Sequence, residues 1–600
     1  MGAAIKLPAF FRRRMAAEAW ANVARRQNPF DSSSPPPGVV PPLASDPKAL
    51  MGADPGEGFW RRDRPRARVR TTVRVENFLL GHREHCSMCS SLPRPSPGGD
   101  PDQLVARMHS HLHPDCYAND LLHYLAYGYA PHLLREPEPF DLPNSSSVLA
   151  PDPGMLAAWD KQALPFAHSS PVPARFVSPL LCASRRSLST GKLKKRICFD
   201  ASRRLNDCVA PWPLRYADLR HFLELVRPRD FVSSLDLQSF YTHLPLHRSA
   251  QRLCQFRPPP HSASAASVGP GLAREFLVVP MGLRTACAFA SAVSGEALAI
   301  IRARLRRVGV DDRGSAFIDD FNFAAPSANE SARQLMVATA TVKWLGLPPS
   351  ASKTQAPTRQ PTVLGAGVDT DRREIFARSV HIDEAERRVI LLQRSSRWKR
   401  KSLQEAAGIL LWLSAFIRGA GPHLRPIWDA TAGGRWRRRT ADAVLSLQWW
   451  RGALDRLRKR RGVSRWIADT SPFVAVSDAS GDIGCGIATA ARRCAHRWTP
   501  DELKMSMPAK ELFPIVRYAQ RHPEELAGRL ALFGTDSITN VFALNAGSSR
   551  GSDSQQLLLQ LSDLALRHDF EPAAVWVPRE HNQLADDLSK FVLPADPLLP

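Results

Sequence analysis

Two groups of carboxylates in this chain have the residue types and spacing to do chemistry. In the first, Asp319 and Asp320 are adjacent in Phe317-Ile318-Asp319-Asp320-Phe321, and Asp236 lies upstream in Ser234-Leu235-Asp236-Leu237-Gln238-Ser239-Phe240-Tyr241. In the second, Asp478 ends the run Phe473-Val474-Ala475-Val476-Ser477-Asp478, Glu511 lies in Ala509-Lys510-Glu511-Leu512, Asp536 follows Gly534-Thr535, and Asp586 comes four residues after Asn582. Repelling acids flanked by bulky apolar residues are costly to bury unless a cation neutralises them. Magnesium is the usual cation where only oxygen ligands are on offer, with manganese as a substitute. Such a set can hold two ions about one phosphate, one ion activating the attacking oxygen and the other holding the leaving one. The chemistry to expect is phosphoryl transfer at one site and phosphodiester cleavage at the other.

These acids need particular elements to hold them. Successive side chains on a strand point to opposite faces, so a continuous strand would part Asp319 from Asp320. A tight turn at the Asp-Asp step, closing two buried strands, brings both to one ligand. Residues 231–235 read as the buried strand that delivers Asp236, and residues 285–307 as a helix. Residues 192–196 form a cationic stretch ahead of an apolar strand, Ile197-Cys198-Phe199. Gly282, in Val279-Pro280-Met281-Gly282-Leu283, lets backbone approach a template or nucleotide closely. Ser402-x-x-Glu405 has the form of a capping box, and apolar residues at 403, 407, 410, 413 and 417 mark an amphipathic helix. Downstream, Trp449 and Trp450 alternate with arginines such as Arg456 and Arg458, a mixture that suits both a nucleic-acid grip and a Trp core with a solvated basic face.

In order, the motifs are the basic hairpin with Arg196 four residues before Asp200, Asp236 with its aromatics, Val279 to Leu283, the Asp-Asp turn, Gly346-Leu347 with Lys353, and Val363-Leu364-Gly365. This series resembles the reverse transcriptase family over roughly residues 172–370. It departs from retroviral members in having Phe317 where they carry tyrosine. The resemblance implies that Asp236, Asp319, Asp320 and the Leu237 carbonyl hold two magnesium ions. It further implies that Arg196, Tyr241, Gly282 and Lys353 bind the nucleotide, Tyr241 by excluding a ribose 2′-hydroxyl, and that Leu364 and Gly365 contact the primer. Residues 470–592 resemble retroelement ribonuclease H, with Asp478, Glu511, Asp536 and Asp586 as metal ligands and Asp587 as the alternative to Asp586. The fold class implied is α+β multidomain: a right-hand polymerase of fingers, ferredoxin-like palm and helical thumb, then an α/β ribonuclease H-like domain.

The expected partition is a basic, Pro-rich, largely disordered region at 1–100, a helical lead-in at 101–175, fingers and palm at 176–375, thumb and connection at 376–468, ribonuclease H at 469–592, and a tail at 593–600. The implied function is RNA-directed DNA polymerase and ribonuclease H of a retroelement, closest to the tyrosine-recombinase, DIRS-like group. A decayed or domesticated non-enzymatic nucleic-acid-binding protein is the alternative. A telomere- or intron-type enzyme fits less well, because those normally lack the second quartet. Partners are an RNA template, a DNA primer, an RNA–DNA hybrid and deoxynucleoside triphosphates.

Composition agrees with a polyanionic partner. There are 81 Lys and Arg against 57 acids, a net charge of +24, and each phosphate neutralised releases counterions. No apolar run approaches the roughly 18 residues needed to cross a bilayer. Ten scattered cysteines suggest a reducing compartment, the nucleus or cytoplasm rather than the secretory route. Residues 82–116 hold His82, His85, Cys86, Cys89, His109, His111, His113 and Cys116. Cys86-x-x-Cys89 with a histidine or two and Cys116 has the residue types to ligate zinc tetrahedrally, but the spacing matches no zinc template, so the sequence favours a loop ahead of a helical stretch near 117–134.

Overall fold

The computed structural model describes residues 72–90, 116, 118–163, 172–186, 193–212, 214, 219–266, 268–432, 436–437, 439–459, 463–464 and 472–598. The described residues fall into two compact units, one within Pro35–Leu364 and one within Gly365–Pro600. Residues 376–468 and 469–592, expected as separate domains, fall in the same unit.

Within Pro35–Leu364 the described elements include helices α1 (Val75–His85) and α2 (Ala118–Tyr127), and a basic hairpin of β1 (Leu180–Arg186) and β2 (Leu193–Phe199). There follow β3 (Phe231–Asp236), α3 (Ala286–Arg307), β4 (Gly314–Phe317), β5 (Asp320–Ala325), α4 (Ala328–Trp344) and β6 (Gln355–Thr358). The last six run β-α-β-β-α-β, the ferredoxin-like plan, and their antiparallel sheet has the order β6-β3-β5-β4. Val232, Leu235, Phe321 and Phe323 are fully buried, which fixes register, since a one-residue slip would turn every side chain to the other face. Helix α3 is Ala-rich, a strong helix former, and ends in Arg304, Arg306 and Arg307, where cations complement the helix dipole. Among the described residues it is the one helix long and apolar enough to cross a membrane by composition, yet 83% of that stretch is buried inside the protein.

Residues 72–90, inside the stretch expected to be largely disordered, are mostly helical, and the rest of 1–100 lies outside the described residues. Val75, Phe78, Leu79 and His82 fall at helical spacing, and the last three are wholly buried. The segment is fastened to the body: the Arg74 amide donates to the Leu345 carbonyl at 2.9 Å, Glu84 pairs with Arg304, and Gly81 lets α1 close on Ile300 of α3. The loop favoured around the cysteines is likewise not what forms. Cys86 and Cys89 are joined by a helical turn, Ser87–Ser90, and with His82 and Cys116 they converge in the interior. His109, His111 and His113 lie outside the described residues.

Gly365–Pro600 opens with the hairpin β7 (Ala366–Asp369) and β8 (Glu374–Ala377), then helices α5 (Ser379–Arg394), α6 (Arg400–Leu413) and α7 (Ala441–Lys459). The expected capping box is absent. Helix α6 begins at Arg400 with Lys399 at its N-cap, which makes no side-chain cap hydrogen bond, because the strand pair at Trp398–Lys399 feeds straight into it, and Glu405 is taken by Arg388 of α5. Trp450 is buried and donates to the His423 carbonyl at 3.2 Å, while Arg458 bonds Asp383 and Glu386.

A six-stranded sheet follows, ordered β13-β12-β9-β10-β11-β14: β9 (Phe473–Ala479), β10 (Gly484–Thr489), β11 (Arg493–Arg497), β12 (Leu530–Thr535), β13 (Glu571–Trp576) and β14 (Asp596–Pro597). Helix α8 (Met507–Arg521) links β11 to β12, and α9 (Ile538–Ala546) and α10 (Ser552–His568) link β12 to β13. Strand β12 is buried along its whole length, as a parallel strand covered on both faces requires. Helix α11 (Gln583–Ser589) packs on β10, where a side chain at Gly486 would strike Leu588.

Candidate functional site

The first site is a matter of register. Strand β5 pairs with β3 so that Asp320 stands opposite Asp236, and with β4 so that Asp320 stands opposite Phe317. The turn is therefore Ile318-Asp319, with Ile318 at φ +53°, a left-handed conformation rare for a β-branched residue. Sequence reasoning placed the turn one residue late. The Asp319 carbonyl accepts from the Leu237 amide at 2.9 Å, tying the turn to the end of β3. One carboxylate oxygen from each of Asp236, Asp319 and Asp320 lies within 4.8 Å of the others.

Their electrostatics are those of a crowded anionic nest. Burial, then the charges of Asp319 and Asp236, push the Asp320 carboxyl up to about 7. Burial and Asp236 also raise Asp319. Lys353 donates to both oxygens of Asp236, at 2.8 and 2.9 Å, so an ammonium already occupies part of the space a cation would take. Oxygen-only donors with raised affinity for a proton are a fit for hard divalent ions.

Of the other residues expected at the nucleotide, Arg196, exposed on β2, is near enough to the trio for its charge to act on Asp319. Tyr241 is half-buried, and its hydroxyl donates to Cys287 Sγ at 3.2 Å. Gly282 has φ +117°, and a Cβ there would lie 1.9 Å from the Phe199 carbonyl oxygen. The close backbone approach read from the sequence is thus, in this structure, to β2. Asn206 seals it, donating to the Gly282 carbonyl at 2.9 Å and accepting from the Arg284 amide at 2.8 Å. Asn206 and Arg284 were missed as positioning residues; only their place beside Asp200 and Gly282 hinted at them. Leu364 and Gly365 both have positive φ, +48° and +86°.

The second site lies at the carboxyl ends of neighbouring parallel strands. Register pairs Val476 with Gly534, so Asp478 and Asp536, each two residues further on, emerge side by side. Such ends are where open α/β sheets bind ligands. Glu511 reaches them from α8, and oxygens of Asp478, Glu511 and Asp536 lie within 4.8 Å of one another. Burial, then the charges of Asp478 and Asp536, push Glu511 up to about 9. Burial and Asp536 raise Asp478 to about 6. Glu511 Oε2 is buried with no hydrogen-bond partner among the described residues. A buried, orphaned carboxylate oxygen facing two more acids fits a cation.

Asp586 is not in that close trio. Lys590 binds both its oxygens, at 2.8 and 2.6 Å, and Arg579 lies 3.6 Å away. It remains adjacent: Ser589 Oγ sits 3.1 Å from Asp478 Oδ2 and 2.8 Å from the Asp586 carbonyl. Asp587 accepts instead from Gln583 on the same helix, at 2.8 Å.

Residues 189–368 match the family model for reverse transcriptase (RNA-dependent DNA polymerase). No curated protein matches the chain. Similar solved structures include the foamy viral protease-reverse transcriptase dRH with double-stranded DNA, at 14% identity, 81% of this chain, 84% of that one and a TM-score of 0.41. The foamy viral protease-reverse transcriptase with double-stranded DNA is similar at 15% identity, 80% and 96% coverage and a TM-score of 0.40. Its complex with an RNA/DNA hybrid is similar at 16% identity, 82% and 65% coverage and a TM-score of 0.40. With the family match falling on the strands and turn that gather Asp236, Asp319 and Asp320, residues 189–368 are a reverse transcriptase domain.

Proposed function

We propose that this chain is an RNA-directed DNA polymerase of a retroelement that also degrades the RNA strand of RNA–DNA hybrids. The observation that carries the polymerase reading is the register that opposes Asp236 to Asp320, with Asp319 in the adjoining turn, inside the matched residues. Magnesium bound there supplies positive charge at the reacting phosphate and lowers the pKa of the attacking hydroxyl. Asp236, Asp319 and Asp320, with the Leu237 carbonyl, are the residues that would hold it.

The chain's other groups then divide the work of transfer, in which the primer 3′-hydroxyl attacks the α-phosphate in line and pyrophosphate leaves. Arg196 neutralises phosphate charge. Tyr241 closes the space beside the sugar, its hydroxyl anchored on Cys287, so the product is DNA. Lys353, 58% exposed at its side chain, is free to swing from Asp236 towards the leaving group. Gly282 holds the nucleotide-side loop against β2, and the turn at Leu364-Gly365 presents backbone to the primer. The Phe231–Thr358 sheet is the palm, the β1–β2 hairpin belongs to the fingers, and helices α5 to α7 form the thumb.

The ribonuclease H reading is supported by the trio Asp478, Glu511 and Asp536 at adjacent strand ends, with Asp586 one hydrogen-bonded step away through Ser589. Lys590 must release Asp586 for it to join as fourth ligand. Two sites explain each other: copying RNA leaves a hybrid whose RNA strand has to be removed before the second DNA strand is made.

The test is a pair of variants on one substrate, a DNA primer on labelled RNA with magnesium. Asp319→Ala plus Asp320→Ala is expected to lose primer extension by at least about 10³-fold while cleavage of preformed hybrid persists, the scale seen when charge stabilisation of a transition state is removed. Asp478→Ala is expected to do the reverse. Extension undiminished in the first variant would end the polymerase claim, and RNA cleavage undiminished in the second would end the other.

A further inference from the structure

A third cluster, unused by either carboxylate site, lies in Pro35–Leu364. His82, Cys86, Cys89 and Cys116 each offer a ligand atom within 4.8 Å of the others, and all four residues are buried. They come from the end of α1, the turn after it, and the residue leading into α2. Cys86 and Cys116 sulfurs are 3.9 Å apart, far beyond the 2.05 Å or so of a disulfide. That spacing is close to the edge of a tetrahedron with zinc–sulfur bonds of about 2.3 Å, roughly 3.8 Å. His82 Nε2 is 3.2 Å from Cys116 Sγ, and its other nitrogen, Nδ1, is 3.0 Å from Glu296 Oε1.

The donor set discriminates among metals. Thiolates disfavour magnesium and calcium, and three sulfurs with one imidazole are a closed, four-coordinate zinc set. Glu296 sits at the nitrogen that would not face the ion, which fixes the ring's orientation and tautomer, a common companion of zinc-bound histidine. His85 Nε2 shares that carboxylate at 2.8 Å. Burial of all four ligands leaves no open position for substrate, so the role is structural. We propose that the chain carries a structural zinc site formed by His82, Cys86, Cys89 and Cys116, with Glu296 of α3 positioning the imidazole. The site ties α1 and α2 to the helix whose Ser294 hydroxyl donates to the Ile318 carbonyl in the acidic turn.

The full-length chain purified without added metal is expected to hold one zinc per chain by elemental analysis. Its cobalt-substituted form should show the thiolate charge-transfer and intense visible bands of a tetrahedral site. Cys116→Ser should lose the zinc and Cys182→Ser, outside the cluster, should keep it. Glu296→Gln should retain the site with about 10- to 100-fold weaker affinity in a chelator competition. Well under one zinc in the wild type, together with a cobalt spectrum lacking charge transfer, would overturn the proposal whether or not the variants fold. So would full zinc retention in Cys86→Ser plus Cys89→Ser.

Discussion

The acids of the two sites are held at a cost that pH and metal can reveal. Burial and neighbouring charge keep Asp320 protonated up to about 7 and Glu511 up to about 9, whereas both titrate near 4 in an unfolded chain. Between those limits the folded state binds more protons than the unfolded one, so stability falls as pH rises. Below the unfolded value the effect vanishes, because both states are protonated. In chelator, then, Glu511→Gln should melt at the wild-type temperature near pH 4 and progressively above it towards pH 9, since glutamine mimics the neutral acid. Magnesium should shrink that gap at high pH by taking the place of the proton. A wild type and variant that keep the same offset from pH 4 to 9 would show that Glu511 is not held in a crowded anionic nest. At this scale the sequence was informative: acids between apolar residues state their own problem. Glu296 was hidden, the one acid of an Ala-rich helix, although a buried acid has to find partners and finds His82 and His85.

Two glycines of Pro35–Leu364 show how elements are held at the required separation, and why their substitutions should differ. At Gly81 a Cβ would lie 2.7 Å from Cδ1 and 2.8 Å from Cγ2 of buried Ile300, a side chain that has to shift as a whole. At Gly282 it would lie 1.9 Å from a backbone carbonyl, at a φ of +117°. Gly81→Ala is therefore expected to cost about 1–2 kcal/mol by overpacking, offset partly by helix propensity, and Gly282→Ala about 3 kcal/mol or more through positive-φ strain together with displaced backbone. Urea unfolding of the two variants checks the ranking, and equal losses would refute it. Elements were only partly legible beforehand. The strands carrying Asp236 and Asp320 and helix α3 follow from apolar runs and an Ala-rich composition. The start of α6 did not, because Glu405 had a better partner in Arg388 than the cap its spacing suggested. The cysteine cluster was not, because Cys116 is remote in sequence from Cys86 and Cys89 and no local pattern announces which of five histidines joins them.

At the scale of the molecule, the expected border between thumb and C-terminal sheet does not divide compact units: both lie in Gly365–Pro600. The seam between them is built from short-range, partly buried contacts. Arg418, 3% exposed at its side chain, donates to the Asp569 carbonyl and lies 3.5 Å from its carboxylate. Ser562 of α10 donates to the Gly419 carbonyl, and Gly419, at φ +69°, brings its backbone within van der Waals reach of Ala565. His423 stacks on Trp449 at 3.9 Å and faces Asp563 at 3.6 Å. Removing the guanidinium takes a charged donor from the Asp569 carbonyl, which keeps only the Gly528 amide at 3.1 Å, a loss of about 1.5–3 kcal/mol. Because the contact joins two elements far apart in sequence, that loss should be felt on both sides. Arg418→Ala is thus expected to speed amide exchange in residues 416–424 and in α10 together, with β9 protection unchanged, since β9 is held by its own strand pairs. Exchange raised only around residue 418 would mean that the helices before residue 468 and the C-terminal sheet open independently.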